Sequence, residues 1–144
     1  MHDHGLPPFK GLEDIEGTLA RVLDAWPMVR AAWLFGSVSE KRAGPISDVD
    51  VAVLGCTGLS FDERAQLAVD LARAAGRPCD VVPVERTSPV LGMEIVRAGR
   101  RFLCRDPESA DGWEELALMR YLGSAHLRRI VHDHVREDLL RSTR

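Results

Sequence analysis

The chain has few cysteines and no long apolar run. Its three cysteines, at positions 56, 79 and 104 of 144 residues, form no CxxC pair. This wide spacing favours buried free thiols in a reducing cytoplasm. No apolar stretch approaches the length of a membrane span, and the first residues, Met1 to Gly5, lack a signal-peptide core. We therefore expect a cytoplasmic protein with no membrane partner.

The chain also lacks a strong net charge. Its formal charge is −3 and its pI is about 5.9, so it has no general basic field and bulk nucleic-acid binding is not expected. No internal repeat, low-complexity segment or long linker divides it. We therefore predict one domain over residues 1–144, with a flexible leader over about 1–10 and a helical C-terminal segment over about 107–144.

The hydrophobic periodicity predicts a small mixed sheet with flanking helices. Ser60 and Glu63 form a capping box before one helix, and Ser88-Pro89 is a typical start for another. No GxGxxG follows the first strand, which argues against a Rossmann domain. The predicted order is α-β-β-α-β-α-β-α, with strands at Val29–Phe35, Val49–Leu54, Pro78–Val84 and Arg101–Arg105 and helices between and around them.

The most informative pattern is Gly36-Ser37, ten residues, then Asp48-Val-Asp50. Glycine lets a backbone approach a phosphate closely, and the Ser37 hydroxyl and amide are donors. Residues i and i+2 of a strand point to the same face, about 6.6 Å apart along the chain. Asp48 and Asp50 should therefore project together, as Mg²⁺ with a nucleoside triphosphate requires.

Each half of this pattern is weak by itself. Most Gly-Ser dipeptides are ordinary turns, and Asp-x-Asp is common in exposed loops. Here the two aspartates flank and enter an apolar strand, where two carboxylates without a cation would repel each other and lose hydration. Their combination at this spacing predicts a metal–nucleotide site.

The pattern from Leu34-Phe35 through Gly36-Ser37 and Asp48-x-Asp50 to Val51–Leu54 resembles the signature of the nucleotidyltransferase superfamily, which includes polymerase beta and kanamycin nucleotidyltransferase. The resemblance covers roughly residues 12–106. The short length is similar to that of the minimal nucleotidyltransferases, the MNT antitoxins encoded beside HEPN toxins. The resemblance implies the nucleotidyltransferase fold of the α/β (α+β) class.

The resemblance also implies a third carboxylate on a neighbouring strand, and Asp80 occupies that place. Asp48, Asp50 and Asp80 would then be both the catalytic and the metal-binding residues, holding two Mg²⁺ ions. Asp80 would complete the second ion's ligands and take the acceptor proton. The alternative for Asp80 is a solvated acid at a strand edge.

Gly36 and Ser37 would hold the β- and γ-phosphates of ATP. Many minimal members carry an Arg-Gly pair shortly afterwards, whereas this chain has Glu40-Lys41. Lys41 or Arg42 would then supply the positive charge beside the nucleotide.

By resemblance, the reaction is transfer of AMP from ATP to a hydroxyl, with a tyrosine of a partner HEPN toxin as acceptor and this chain as antitoxin. Two alternatives stay open. One is a non-catalytic binding module that neutralises its partner by occlusion. The other is a small-molecule, aminoglycoside-type nucleotidyltransferase that acts as a dimer.

Overall fold

A computed structural model of the chain describes residues 12–36 and 48–142. The predicted leader, about residues 1–10, lies outside them. The described elements are α1 (Leu12–Leu23), β1 (Ala31–Phe35), β2 (Val49–Leu54), α2 (Phe61–Ala75), β3 (Cys79–Pro83), a 3₁₀ turn (Val84–Arg86), α3 (Pro89–Ala98), β4 (Arg100–Cys104), α4 (Pro107–Gly123) and α5 (Ala125–Ser142).

The four strands form one mixed sheet in the order β3-β2-β1-β4. β1 is antiparallel to both β2 and β4, whereas β2 and β3 are parallel. The connection between the parallel pair is α2, as a crossover between parallel strands requires. The predicted fold class, a small mixed sheet with flanking helices, is confirmed.

Local sequence signals account for the helix ends. The Ser60 side chain accepts from the Glu63 amide at 3.1 Å, and Glu63 accepts from the Ser60 amide at 2.9 Å. The Ser88 side chain caps α3 by accepting from the Leu91 amide at 3.2 Å, and Pro89 lies in the first turn of that helix. Gly76 ends α2 in the left-handed conformation, with φ +68°.

The sheet is covered on both faces, so β2 is buried almost throughout. Val49, Val51 and Val53 pack with α1 and α2 in one core. Ala52 and Leu54 point to the other face, where α3 and α4 cover a second core. This period of two places each side chain of β2 in one of two separate environments.

The first helix and strand are shorter than predicted. The apolar spacing from Leu12 to Trp26 predicts a helix closed by Pro27, but α1 ends at Leu23. The amides of the next three residues donate to carbonyl oxygens three residues back rather than four, so the chain leaves the α-helix in tighter turns. Arg105 stabilises the segment that follows by donating to the carbonyl oxygens of Leu23, Trp26 and Val29 at 2.7–2.9 Å.

Two smaller expectations were wrong. The apolar periodicity of residues 61–75 predicts Phe61 on the buried side of α2, but Phe61 is 78% exposed at the first position of that helix. Of the three thiols, only Cys56 is fully buried, and Cys104 is exposed because it lies at the end of the edge strand β4. No helix among residues 12–36 and 48–142 is long and apolar enough to cross a membrane.

Candidate active site

The pairing of β2 with β3 brings two of the predicted carboxylates together. Asp50 and Asp80 are register partners in this parallel pair. Neighbouring strands lie about 4.8 Å apart, and partners in register point to the same face. Asp50 is half-buried, Asp80 is exposed, and Asp48 lies exposed immediately before β2. The sheet register therefore places a group of acidic side chains at one end of the α3–α4 face.

Gly36 is required here for a reason that the sequence did not suggest. It follows β1 with φ +77°, a conformation that favours glycine. A Cβ at this position would overlap Oδ2 of Asp50 and lie 3.3 Å from its Cγ. Because Phe35 pairs with Asp50 across the sheet, the chain turns directly beside that carboxylate. The absence of a side chain at Gly36 makes room for Asp50.

The electrostatic setting of Asp50 is unfavourable to its charge. Burial is the largest cause that raises the pKa of this carboxyl, followed by the negative charges of Asp80, Asp48 and Glu94. A cation at this position would offset the repulsion among these groups. The geometry thus creates a place where positive charge is favoured.

Glu94 is the acidic residue that sequence reasoning missed. It is the one acid of α3 and lies on the exposed side of that helix. Its charge reaches Asp50 because α3 packs over the same face of the sheet. Nothing in the local sequence signals this proximity, since it depends on where α3 crosses the strands.

Cys79 lies in the same negative environment but is not a reactive thiol. Burial, and then the charges of Asp48 and Asp50, raise its pKa to about 12. A thiol with so high a pKa is protonated at neutral pH and is therefore a poor nucleophile.

The donor set fits a hard divalent cation in part. Across residues 12–36 and 48–142, no three His, Cys, Asp or Glu side chains lie close enough together to form a complete metal site. Mg²⁺, however, is usually held by one or two carboxylates together with substrate phosphates and water, rather than by a protein cage. The oxygens of Asp48, Asp50 and Asp80 suit that kind of shared coordination.

Three of the four predicted nucleotide-binding residues lie outside the part of the chain that the structure describes. Ser37, Lys41 and Arg42 lie outside the described residues, as does Glu40. Of the predicted phosphate-binding turn, only Gly36 is described.

Comparison with known proteins identifies the family of the chain and its relatives. The sequence profile of the family described as "Polymerase beta, Nucleotidyltransferase" matches residues 18–108. The chain is 35% identical over 78 residues to the protein adenylyltransferase MntA of Shewanella oneidensis, a match that covers 54% of this chain and 56% of MntA. The matched part thus spans little more than half the length of that relative.

Solved structures extend the likeness. A toxin–antitoxin structure with AMP-PNP superposes with a TM-score of 0.75 and 27% identity, covering 83% of this chain and 97% of that one. A complex of tri-AMPylated Shewanella oneidensis HEPN toxin with MNT antitoxin gives a TM-score of 0.69 and 26% identity, covering 84% of this chain and 95% of that one.

Proposed function

Because the chain belongs to the polymerase beta nucleotidyltransferase family, we propose that it transfers AMP from ATP to a tyrosine hydroxyl of a HEPN toxin and so acts as an antitoxin. The single observation that supports this most directly is the register of Asp50 with Asp80, beside the turn at Gly36. The relatives named adenylyltransferase or solved as toxin–antitoxin complexes support the choice of reaction and partner.

In this proposal Asp48 and Asp50 hold Mg²⁺ together with the triphosphate, and Asp80 adds a further oxygen ligand on the acceptor side. The bound cations would neutralise the charge that develops as pyrophosphate leaves. Asp80 is exposed, whereas its register partner Asp50 is half-buried, so an incoming hydroxyl can reach Asp80. It would accept the proton of that hydroxyl.

The protein's own contribution is position and charge. Gly36 lets the Asp50 carboxylate sit against the backbone, which fixes where the metal-binding oxygens point. Gly36 and Ser37 would hold the β- and γ-phosphates, and Lys41 or Arg42 would balance the negative charge of the triphosphate. None of these roles needs a protein nucleophile.

The acceptor is best explained as a protein. Among the residues that the structure describes, helices α4 and α5 leave large apolar side chains exposed, and Asp48 and Asp80 are open to solvent. A protein acceptor brings its own surface to such an open site.

The experiment is a turnover test. A HEPN protein encoded in the neighbouring reading frame would be mixed in large excess with this chain, ATP and Mg²⁺, and its intact mass followed. Enzymatic transfer predicts AMP-sized mass additions on many equivalents of HEPN protein, lost in Asp50→Asn and retained in the exposed control Asp133→Asn. Neutralisation only at equimolar ratio, without a mass change, would instead identify an occluding module.

A further inference from the structure

Helix α5 is a long element that buries nothing. None of its 18 residues is buried, although it carries five large apolar side chains at helical spacing, which we call the α5 stripe: Leu127, Ile130, Val131, Val135 and Leu139. An isolated helix of this length is marginal in water, because most helix stability in proteins comes from packing of an apolar face. Within the described residues, that packing is absent from α5.

The start of α5 is nevertheless held firmly. The Arg128 guanidinium lies 3.6 Å from the centre of the Tyr121 ring and donates to the Tyr121 carbonyl oxygen and the Ser124 hydroxyl. These contacts fix the direction in which α5 leaves α4. The α5 stripe is thus presented in a defined orientation.

The stripe opens into a groove beside α3. This groove has a volume of about 370 Å³ and its apolar walls are Pro89 and Val90 of α3 and Leu127 and Val131 of α5. Val90 is 55% exposed and Val131 is 54% exposed. Two helices with an apolar channel between them form the kind of site into which an amphipathic helix binds.

The groove lies next to the candidate active site. Val90 and Glu94 are four residues apart on α3, which places them on the same side of the helix about 6 Å apart. Glu94 is close enough to Asp50 to act on its charge. A helix seated in the groove would therefore lie along α3, the helix that also carries Glu94.

The size of this surface favours a substrate protein over a second copy of the chain. Burying a large aliphatic side chain contributes about 1.5–3 kcal/mol, which at about 25 cal/mol per Å² corresponds to roughly 60–120 Å² of apolar area. The five residues of the α5 stripe and Val90 are each about half exposed, so together they offer roughly 300 Å². A small, transient interface buries about 600 Å² or less per partner, of which roughly 340 Å² is apolar, whereas an obligate homodimer buries about 1,000 Å² or more per subunit, of which roughly 650 Å² is apolar. A substrate protein that binds, is modified and then dissociates requires only the smaller, transient kind of interface.

We propose that the groove between α3 and α5, continued by the α5 stripe, binds an amphipathic helix of the protein that carries the acceptor hydroxyl. This inference rests on the proposed function. It adds the surface through which the acceptor is held.

The matched variants are Val131→Glu in the groove and Val69→Glu on α2. Val69 is 42% exposed, and α2 covers the opposite face of the sheet. Binding of the neighbouring-frame HEPN protein would be measured by calorimetry without ATP. Val131→Glu should weaken the Kd at least tenfold, and Val69→Glu should leave it within twofold. In transfer assays Val131→Glu should raise the KM for HEPN protein by a similar factor, with kcat and the KM for ATP within twofold of wild type.

Val90→Glu, on the other wall of the groove, should cause the same loss of binding. If circular dichroism shows that Val131→Glu has lost helix content, the binding of Val90→Glu is used to test the groove instead. Wild-type binding by Val90→Glu, or equal weakening by Val69→Glu and Val131→Glu, would overturn the proposal. So would a dimer of the chain alone that Val131→Glu converts to monomer while HEPN binding is unchanged.

The binding arm separates this inference from the proposed function. Asp50→Asn should bind HEPN protein as tightly as wild type, while its AMP transfer falls by about 10²–10³-fold. If even the wild-type chain transfers no AMP, the proposed function fails and the binding comparison still reports on the groove. If transfer occurs but the groove variants bind normally, only the docking site is wrong.

Discussion

The two faces of the sheet bury different chemistry. The fully buried residues of the α1–α2 face are aliphatic apart from the thiol of Cys56, and the aromatic rings of Trp26 and Phe102 pack partly buried against them. The α3–α4 face contains Trp33 and Trp113, whose ring centres are 5.0 Å apart, and both indoles donate hydrogen bonds. The candidate carboxylates Asp50 and Asp80 point to this second face, at one end of the same strands.

This difference indicates that one face of the sheet mainly contributes stability, whereas the other also positions the helices near the candidate site. An aliphatic core stabilises through the apolar area that it removes from water and needs no directional contacts. The α3–α4 face adds fixed polar contacts, which hold α3 and α4 in one position over the strands. Position matters there, because α3 carries Glu94 towards Asp50. Changes on the two faces should therefore separate stability from activity.

The largest expected effect is on transfer. Asp50→Asn keeps the size of the side chain but removes a charge from the α3–α4 face, so AMP transfer should fall by about 10²–10³-fold, or about 3–4 kcal/mol. The free energy of unfolding should not fall. Transfer rates and urea unfolding of the same purified sample check this; wild-type rates in a folded variant would remove Asp50 from the site.

The opposite result is expected on the α1–α2 face. Leu67→Ala leaves a cavity beneath α2, where Leu67 is fully buried, and should lower the free energy of unfolding by about 2–5 kcal/mol. Urea unfolding measures this loss. Transfer per folded molecule should stay within twofold at low temperature, and a selective loss of kcat would contradict the division between the faces.

The polar contacts of the α3–α4 face give a smaller effect. Glu114 accepts from the Trp33 indole nitrogen at 3.0 Å and pairs with Arg101 at 2.9 Å. Trp33 is 1% exposed, so Glu114→Ala leaves its N–H without this acceptor and should cost about 1–3 kcal/mol. Thermal unfolding would measure it. Glu114→Gln keeps an acceptor and should recover much of the loss; equal destabilisation by both would point to charge pairing instead.

The Ser60 cap of α2, on the α1–α2 face, should contribute to stability about as much as a typical helix cap. Ser60→Ala removes the side chain that accepts from the Glu63 amide and should cost about 1 kcal/mol. Ser60→Asn supplies another capping side chain and serves as the control in chemical unfolding. Transfer should be unaffected by either variant, since α2 lies away from the carboxylates.

The smallest effect is a pH dependence. Burial and neighbouring negative charges raise the pKa of Asp50, so the folded protein keeps this proton to a higher pH than the unfolded chain does. Ionised Asp50 therefore lowers stability at neutral pH, and this cost disappears as pH falls through its raised pKa. Without divalent cations, wild type should gain stability relative to Asp50→Asn on acidification. A difference that stays constant with pH would contradict the shift.

Local features were predictable because they depend on residues close in sequence. The capping box at Ser60, the helix start at Ser88-Pro89 and the strand Val49–Leu54 follow from side-chain periodicity and helix-end preferences. The same signals led to Gly36, Asp48 and Asp50 as site residues. Their catalytic roles, and that of Asp80, stay predictions.

Tertiary structure alone decided which distant residues meet. Asp80 lies beside Asp50 because β3 pairs with β2 in one register among several that the sequence allowed, and Glu94 joins them because α3 crosses that face. The need for glycine at position 36 arises from the Asp50 carboxylate, which belongs to another strand. Such contacts depend on how the elements pack, and local periodicity carries no information about packing between segments far apart in the chain.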